Sequence, residues 1–271
     1  MEHRVIGVST KLSGYTRENF AAYRQNGIGA VEISPAAEHY DTLDLSAVVR
    51  DMRAEGLDAW SFHLRFWPFE GAYNVAALDA DLRRRAVAYQ AEWIRRAGAE
   101  GIRYVVIHPS AEPIADADRA ESMRAACASL EELARVAQAC GTVLAVENLP
   151  RTCLGKNSAE ILRLTDAHPA LRICFDTNHL LSEATLDFVD AVKDRLVTLH
   201  VSDYDFINER HWLPGDGMVD WRALMDRLDA IGYRGVFMYE TSQTRCADGS
   251  MRPLTPADYR HNADLLEARK I

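Results

Sequence analysis

The stretch VLAVENLP, residues 143–150, is an apolar run that ends on a carboxylate, Glu147, before turn residues take over. Three later runs repeat this pattern. RICFDTNH (172–179) ends in Asp176 and His179, LVTLHVSD (196–203) carries His200 and Asp203, and GVFMYETS (235–242) carries Glu240. Short runs rich in β-branched and aromatic residues read as buried strands. Side chains alternate between the two faces of a strand, so Glu147 shares a face with Ala145 and opposes Leu144 and Val146. By the same parity Asp176 goes with Cys174 against Ile173 and Phe175, His200 with Thr198 against Leu199 and Val201, and Glu240 with Met238. Each polar group thus shares a face with smaller or softer neighbours, while large aliphatics take much of the other.

Four earlier runs complete the set: RVIGVST (4–10), AVEIS (30–34), DAWSFHL (58–64) and YVVIHPS (104–110). Amphipathic segments separate them. In 81–98, Leu82, Ala86, Tyr89, Trp93 and Ala97 fall on one helical face, as do Met123, Cys127, Leu130, Ala134, Ala137 and Cys140 in 119–141. Gly56 and Gly141 stand where helices should stop. Eight strand–helix units in 271 residues predict a (β/α)8 TIM barrel forming a single domain over 1–271. An open doubly wound sheet is the rival, but GVSTKLSG (7–14) is not a GxGxxG loop.

In a closed barrel alternate residues point inward, and the C-terminal strand ends carry the chemistry. Spacings of 29, 24 and 40 residues between Glu147, Asp176, His200 and Glu240 are each one repeat, the longest including the extra loop DFINERHWLPGDG (205–217). Any one of these groups alone could be an isolated polar residue at a strand end. Four on adjacent strands with one parity point instead to a common centre. Three converging carboxylates repel unless a cation lies among them. An oxygen-rich set with one imidazole suits Mn²⁺, Mg²⁺, Co²⁺ or Zn²⁺.

Composition narrows the partners. Apolar content is 48% and the formal net charge is -9, which weighs against nucleic acid. No run approaches the length of a membrane span, and no secretory signal is visible. The five cysteines show no CxxC spacing, so a reduced, cytoplasmic compartment is expected.

The segments AVENLP, CFDTNH, HVSD, RHWLPGDG and YETS resemble the xylose-isomerase-like TIM barrel superfamily, which includes ketose 3-epimerases, sugar isomerases, inosose dehydratases and endonuclease IV. The resemblance covers most of the chain. It implies a divalent metal on Glu147, Asp176, His200 and Glu240, an acid/base pair of Glu147 and Glu240, and a substrate contact at His179. Removing a proton beside a carbonyl creates an enediolate, whose charge a divalent cation would stabilise. A carboxylate on one face can take the proton and one on the other return it.

Endonuclease IV-like relatives imply more. By that resemblance His63 and His108 would share Glu147 at a second metal, and His179, Glu209 and His211 would hold a third. Glu209 stands where the nuclease pattern has Asp. The alternative for His63 and His108 is a role beside a single metal, contacting substrate or supporting the ligands; for His211 it is a loop position or substrate contact. Arg65 and Trp67 could bind a phosphate and stack on a sugar, or simply pack. Arg151 reads as a solvated Arg or a weak anion site. Trp212 and LPGDG read as a lid edge. Glu32 is inward-capable and expected to pair with an Arg. Asp203 and Asp205 either orient ligands or solvate the loop.

The expected activity is a metal-dependent sugar or sugar-phosphate isomerase or epimerase. The alternatives are a three-zinc phosphodiesterase and a keto-sugar dehydratase or lyase. The second loop, SPAAEHYDT (34–42), is short and acidic, unlike a DNA-gripping loop. A small sugar partner is expected, with homo-oligomerisation left open.

Overall fold

The computed structural model describes residues 4–10, 14–68, 72–241, 243–246 and 248–271. The eight apolar runs form eight strands: β1 (Ile6–Ser9), β2 (Ala30–Ile33), β3 (Asp58–His63), β4 (Tyr104–Ile107), β5 (Val143–Glu147), β6 (Arg172–Asp176), β7 (Leu196–His200) and β8 (Phe237–Tyr239). They lie parallel in the order β7-β6-β5-β4-β3-β2-β1-β8. Between β7 and β8 the ring closes just past His200. The Val201 N–H donates to Met238 O (2.8 Å), and the Glu240 N–H donates to Val201 O (3.0 Å). This is the single-domain (β/α)8 barrel expected.

Helices α1 (Arg17–Gln25), α2 (Leu45–Ala54), α3 (Ala80–Ala99), α4 (Arg119–Ala139), α5 (Ser158–Thr165), α6 (Thr185–Val192), α7 (Trp221–Ala230) and α8 (Pro256–Glu267) surround the strands. Side-chain caps start several of them: Asp44, Asp79, Asn157 and Asp220 each accept a first-turn N–H. Gly56 and Gly141 end α2 and α4 at φ of 77° and 72°.

The parity reading locates the core. Leu144, Val146, Ile173, Phe175, Leu199 and Val201 pack with the helices in one large cluster. Inside the barrel, Val106, Ala145 and Cys174 form one small cluster, and Ala30, Trp60, Tyr104, Val236 and Met238 another. The interior is therefore filled by side chains up to the level of the polar groups.

The strands are shorter than the apolar runs because the run ends leave the ladder to carry the site. Asn148 replaces the lost rungs: its Oδ1 accepts the Asp176 N–H (2.7 Å), and its Nδ2 donates to Asp176 O (3.0 Å). Ser242, the last residue of the expected eighth run, lies outside the described residues. The sequence reading did not anticipate a small antiparallel hairpin, β9 (Gln243–Arg245) and β10 (Met251–Pro253).

Asp203 organises the long loop after β7. Its buried carboxylate accepts from the backbone of Tyr204 (2.8 Å), Gly215 (2.8 Å) and Val219 (3.1 Å) and from Trp221 Nε1 (2.7 Å). Of the two alternatives for Asp203, the contacts are therefore those of a loop staple. The two loop glycines act differently. Gly215 sits at φ 95°, whereas a Cβ on Gly217 would lie 2.4 Å from Asp203 Oδ1.

Helix α8 buttresses the same region, since Tyr259 donates its hydroxyl to Thr241 O (2.7 Å). Its start is held by Asp258, which accepts from the Thr255 N–H and hydroxyl (both 2.7 Å) and from Arg252. The Arg252 guanidinium holds the Asp258 carboxyl below the usual range. A depressed folded-state pKa stabilises fully above the unfolded value, about 4, and the benefit is lost as pH falls toward the folded value. Asp258→Asn should thus melt below wild type at pH 7, with the gap in Tm shrinking below about pH 4. A gap that is constant with pH would contradict this assignment.

Candidate metal centre

Glu147, Asp176, His200 and Glu240, from the ends of β5 to β8, bring one donor atom each to within 4.8 Å of one another. All four side chains are buried. Three other groups adjoin or overlap them, His63 with His108 and Glu147, Cys174 with Glu147 and His200, and His179 with Glu209 and His211, each within the same limit. Glu147 lies at the middle. Its Oε1 is 3.2 Å from His200 Nδ1 and 3.5 Å from His179 Nδ1, and its Oε2 is 3.1 Å from His63 Nε2 and 3.3 Å from His108 Nε2.

The histidines are fixed from behind. Nδ1–H of His63 donates to Leu64 O (2.8 Å), that of His179 to Asn148 O (2.8 Å) and that of His211 to Glu240 O (3.1 Å). His200 instead stands between carboxylates, with Glu32 Oε2 3.0 Å from its Nε2 and Glu147 and Glu240 on its Nδ1 side. A neutral imidazole has one donor and one acceptor nitrogen. The remaining nitrogens of neutral His63 and His179 are therefore acceptors, yet they face Glu147 at 3.1 Å and Glu209 at 2.9 Å, and a neutral His200 can donate to only one of its two carboxylate sides, Glu32 at 3.0 Å or Glu147 and Glu240 at 3.2 and 3.3 Å. Acceptor facing acceptor requires a proton or a cation between them.

Protons on the imidazoles answer part of this but leave Asp176 unsatisfied. Burial, with Glu240 and Glu147 nearby, pushes the Asp176 carboxyl well above the usual range, while its Oδ2 is buried without a hydrogen-bond partner. Burial opposes charge on His179, but Asp176, Glu209 and Glu147 raise it to about 10. Burial likewise opposes charge on Glu147, which His200 and His108 nevertheless hold well below the usual range. For Glu32 burial acts upward and His200 pulls the carboxyl below its ordinary value. An orphaned carboxylate oxygen beside outward-locked imidazole lone pairs is the donor chemistry of a divalent cation, so these residues fit one.

The other candidates fall into place around this centre. Glu209 reaches His179 despite its longer arm and is held by Arg151, which also pairs with Glu112. Arg151 thus positions loops instead of standing free in solvent. Arg151 and His211 both adopt left-handed φ, 52° and 50°. His211 is held there by Thr241, whose hydroxyl donates to its carbonyl, and by its own bond to Glu240. Phe66 stacks on His108 at 4.2 Å.

Arg65 is engaged away from this centre: its guanidinium lies 4.3 Å from the Tyr73 ring centre and bonds Trp67 O, Asp41 and Tyr89. Half-exposed Trp67 lines a separate cavity of about 270 Å³ with Arg65, Phe66 and Tyr40. Trp212 exchanges backbone hydrogen bonds with Asp203 at the loop edge, under Arg245. Asp205 caps its own turn and pairs with Arg210. A cavity of about 650 Å³, lined by Glu240, His211, Tyr23, Gln243 and Tyr259 among others, opens beside the centre.

Sequence reasoning missed Asn148, though its place directly after Glu147 was a signal. It also assigned Glu32 the wrong partner: the neighbour is His200, not an Arg, because β2 and β7 face each other across the barrel interior.

A closed parallel barrel with a polydentate acid–histidine cluster at its C-terminal mouth defines the class. The chain matches the Xylose isomerase-like TIM barrel family over residues 20–269 and belongs to it. The uncharacterised protein MJ1311 of Methanocaldococcus jannaschii is 25% identical over 208 residues, 73% of this chain and 71% of that one. The uncharacterised y4fM of Sinorhizobium fredii is 32% identical over 75 residues, covering 27% of this chain and only 24% of that protein. Among solved structures, a D-tagatose 3-epimerase-like protein superposes with TM-score 0.80 at 19% identity, covering 98% of this chain and 99% of its own. The D-psicose 3-epimerase of Clostridium cellulolyticum H10 gives 0.75 at 18% identity, covering 99% and 98%. At these identities the likeness is one of fold. Among the described residues, no helix is long and apolar enough to cross a membrane.

Proposed function

We propose that this protein is a divalent-metal-dependent isomerase or epimerase of a sugar or sugar phosphate. The observation that carries the reading is the pair Glu147 and Glu240, whose carboxylates approach one imidazole nitrogen, His200 Nδ1, from β5 and β8. Glu147, Asp176, His200 and Glu240 would hold Mn²⁺, Co²⁺, Mg²⁺ or Zn²⁺. When bound, such an ion supplies positive charge beside the substrate's carbonyl and hydroxyl oxygens.

The protein's own groups do the rest. One of the two Glu carboxylates takes the proton from the carbon next to the carbonyl, and the other returns one on the opposite face. His179, whose Nε2 meets Glu209 at 2.9 Å, would turn that nitrogen's hydrogen bond to a substrate oxygen. The cavity at Glu240 and His211 admits the substrate, and the buried strand ends keep bulk water from the reacting carbon. The epimerase names of the structural neighbours support this reading.

A second reading, an endonuclease IV-like phosphodiesterase, draws on one specific observation: the His63–His108 and His179–Glu209–His211 groups both adjoin the four-residue set. Net charge -9 weighs against it. A lyase would use the same proton abstraction to expel a β-hydroxyl.

The test is deuterium wash-in from heavy water over a panel of ketoses and ketose phosphates with each of the four ions, alongside cleavage of abasic-site DNA and elemental analysis. Exchange into at least one ketose, with metal content falling in His200→Ala, is expected. Cleavage of abasic DNA without any exchange, or unchanged metal in His200→Ala, would overturn the assignment.

A further inference from the structure

We propose that Glu32 is a positioning residue for the metal centre: from beneath the cluster it takes the Nε2–H of His200 and so aims the Nδ1 lone pair at the point that Glu147, Asp176 and Glu240 surround. This rests on the metal dependence proposed above, not on the reaction. Glu32 stands on β2, fully buried, and its two oxygens gather donors from three other strands. Oε1 accepts from Ser9 Oγ on β1 (3.0 Å), and Oε2 from Ser61 Oγ on β3 (2.8 Å) and His200 Nε2 on β7 (3.0 Å). Among the described residues no Arg or Lys pairs with it. The serine hydroxyls hold the carboxylate in place, and its charge is left to the imidazole.

The arrangement decides a choice that His200 could not make alone. With its proton held on Nε2, the ring presents Nδ1 to Glu147 and Glu240 at 3.2 and 3.3 Å. His63, His179 and His211 do the reverse, donating Nδ1–H to a neutral backbone carbonyl. His200 alone among these four is backed by an anion. Such a carboxylate fixes the tautomer and ring orientation and raises the basicity of the ligating nitrogen, and losing such a partner typically costs about 10–100-fold in metal affinity. Without Glu32, a proton on Nδ1 would point at the cation.

The test titrates metal-free protein with Co²⁺, following its visible absorption and measuring affinity by chelator competition, with circular dichroism to confirm folding. Glu32→Gln keeps the shape and loses the charge. It should bind Co²⁺ about 10–100-fold more weakly, with a displaced visible band. Folded Glu32→Gln with wild-type affinity and band overturns the inference. Should that variant fail to fold, wild type labelled with ¹⁵N-histidine and loaded with ¹¹³Cd²⁺ decides the matter. Cadmium coupling to His200 Nδ1, with the proton on Nε2, is expected; coupling to Nε2 overturns it. Wild type that binds no divalent ion overturns this inference and the metal-dependent reading together. Ion binding without sugar turnover sinks only the reaction.

Discussion

Glu240→Gln and Glu147→Gln should each lower proton exchange beside a ketose carbonyl by about 10²–10⁴, the usual cost of losing a positioned acid or base. Glutamine keeps the shape and one carbonyl oxygen for a cation but cannot take up a proton near neutral pH. The two variants should differ in their side effects. Glu240 contributes to one donor group, whereas Glu147 belongs to three: the four-residue set, the His63–His108 group and the group with Cys174 and His200. Glu147→Gln should therefore also lose metal, and Glu240→Gln should keep more of it. The measurement is deuterium wash-in at saturating metal, beside metal analysis. Full exchange rates in both variants would leave the fold standing and remove this acid/base pair.

Asp203→Ala should cost about 3–5 kcal/mol of stability, because its buried carboxylate serves four donors and each one stranded costs about 1–3 kcal/mol before the loop relaxes. The donors come from Tyr204, Gly215, Val219 and Trp221. They span the loop after β7 and the start of α7, so the change reaches both. Urea unfolding measures it through the midpoint at unchanged slope. A loss under about 1 kcal/mol would show that water or neighbouring groups replace the carboxylate with little penalty.

Residues such as Asp203 show where sequence reasoning reaches its limit. The eight strands and their inward faces follow from a side-chain period of two, which is local, so Glu147, Asp176 and His200 could be oriented from their own neighbours. Partnerships across the barrel have no local signal. Glu32 meets His200 across 168 positions, and that meeting depends on how the sheet closes. Arg65 was open to an anion-binding role because nothing local announces Tyr73, whose ring it covers, or Tyr89, whose hydroxyl it bonds. Asp203 could not be told from a solvated loop acid until its four donors were placed. The β9–β10 hairpin has two strands of three residues each, too short for a periodic pattern to stand out.

The closure between β7 and β8 has a mechanical consequence. Two backbone bonds at Val201 join those strands, and the residues on either side of the join are His200 and Glu240. The last rung of the ring and the jaws of the ion site are thus one clasp. An ion gripped by both would rivet the seam, and strain that opened the seam would pull its ligands apart.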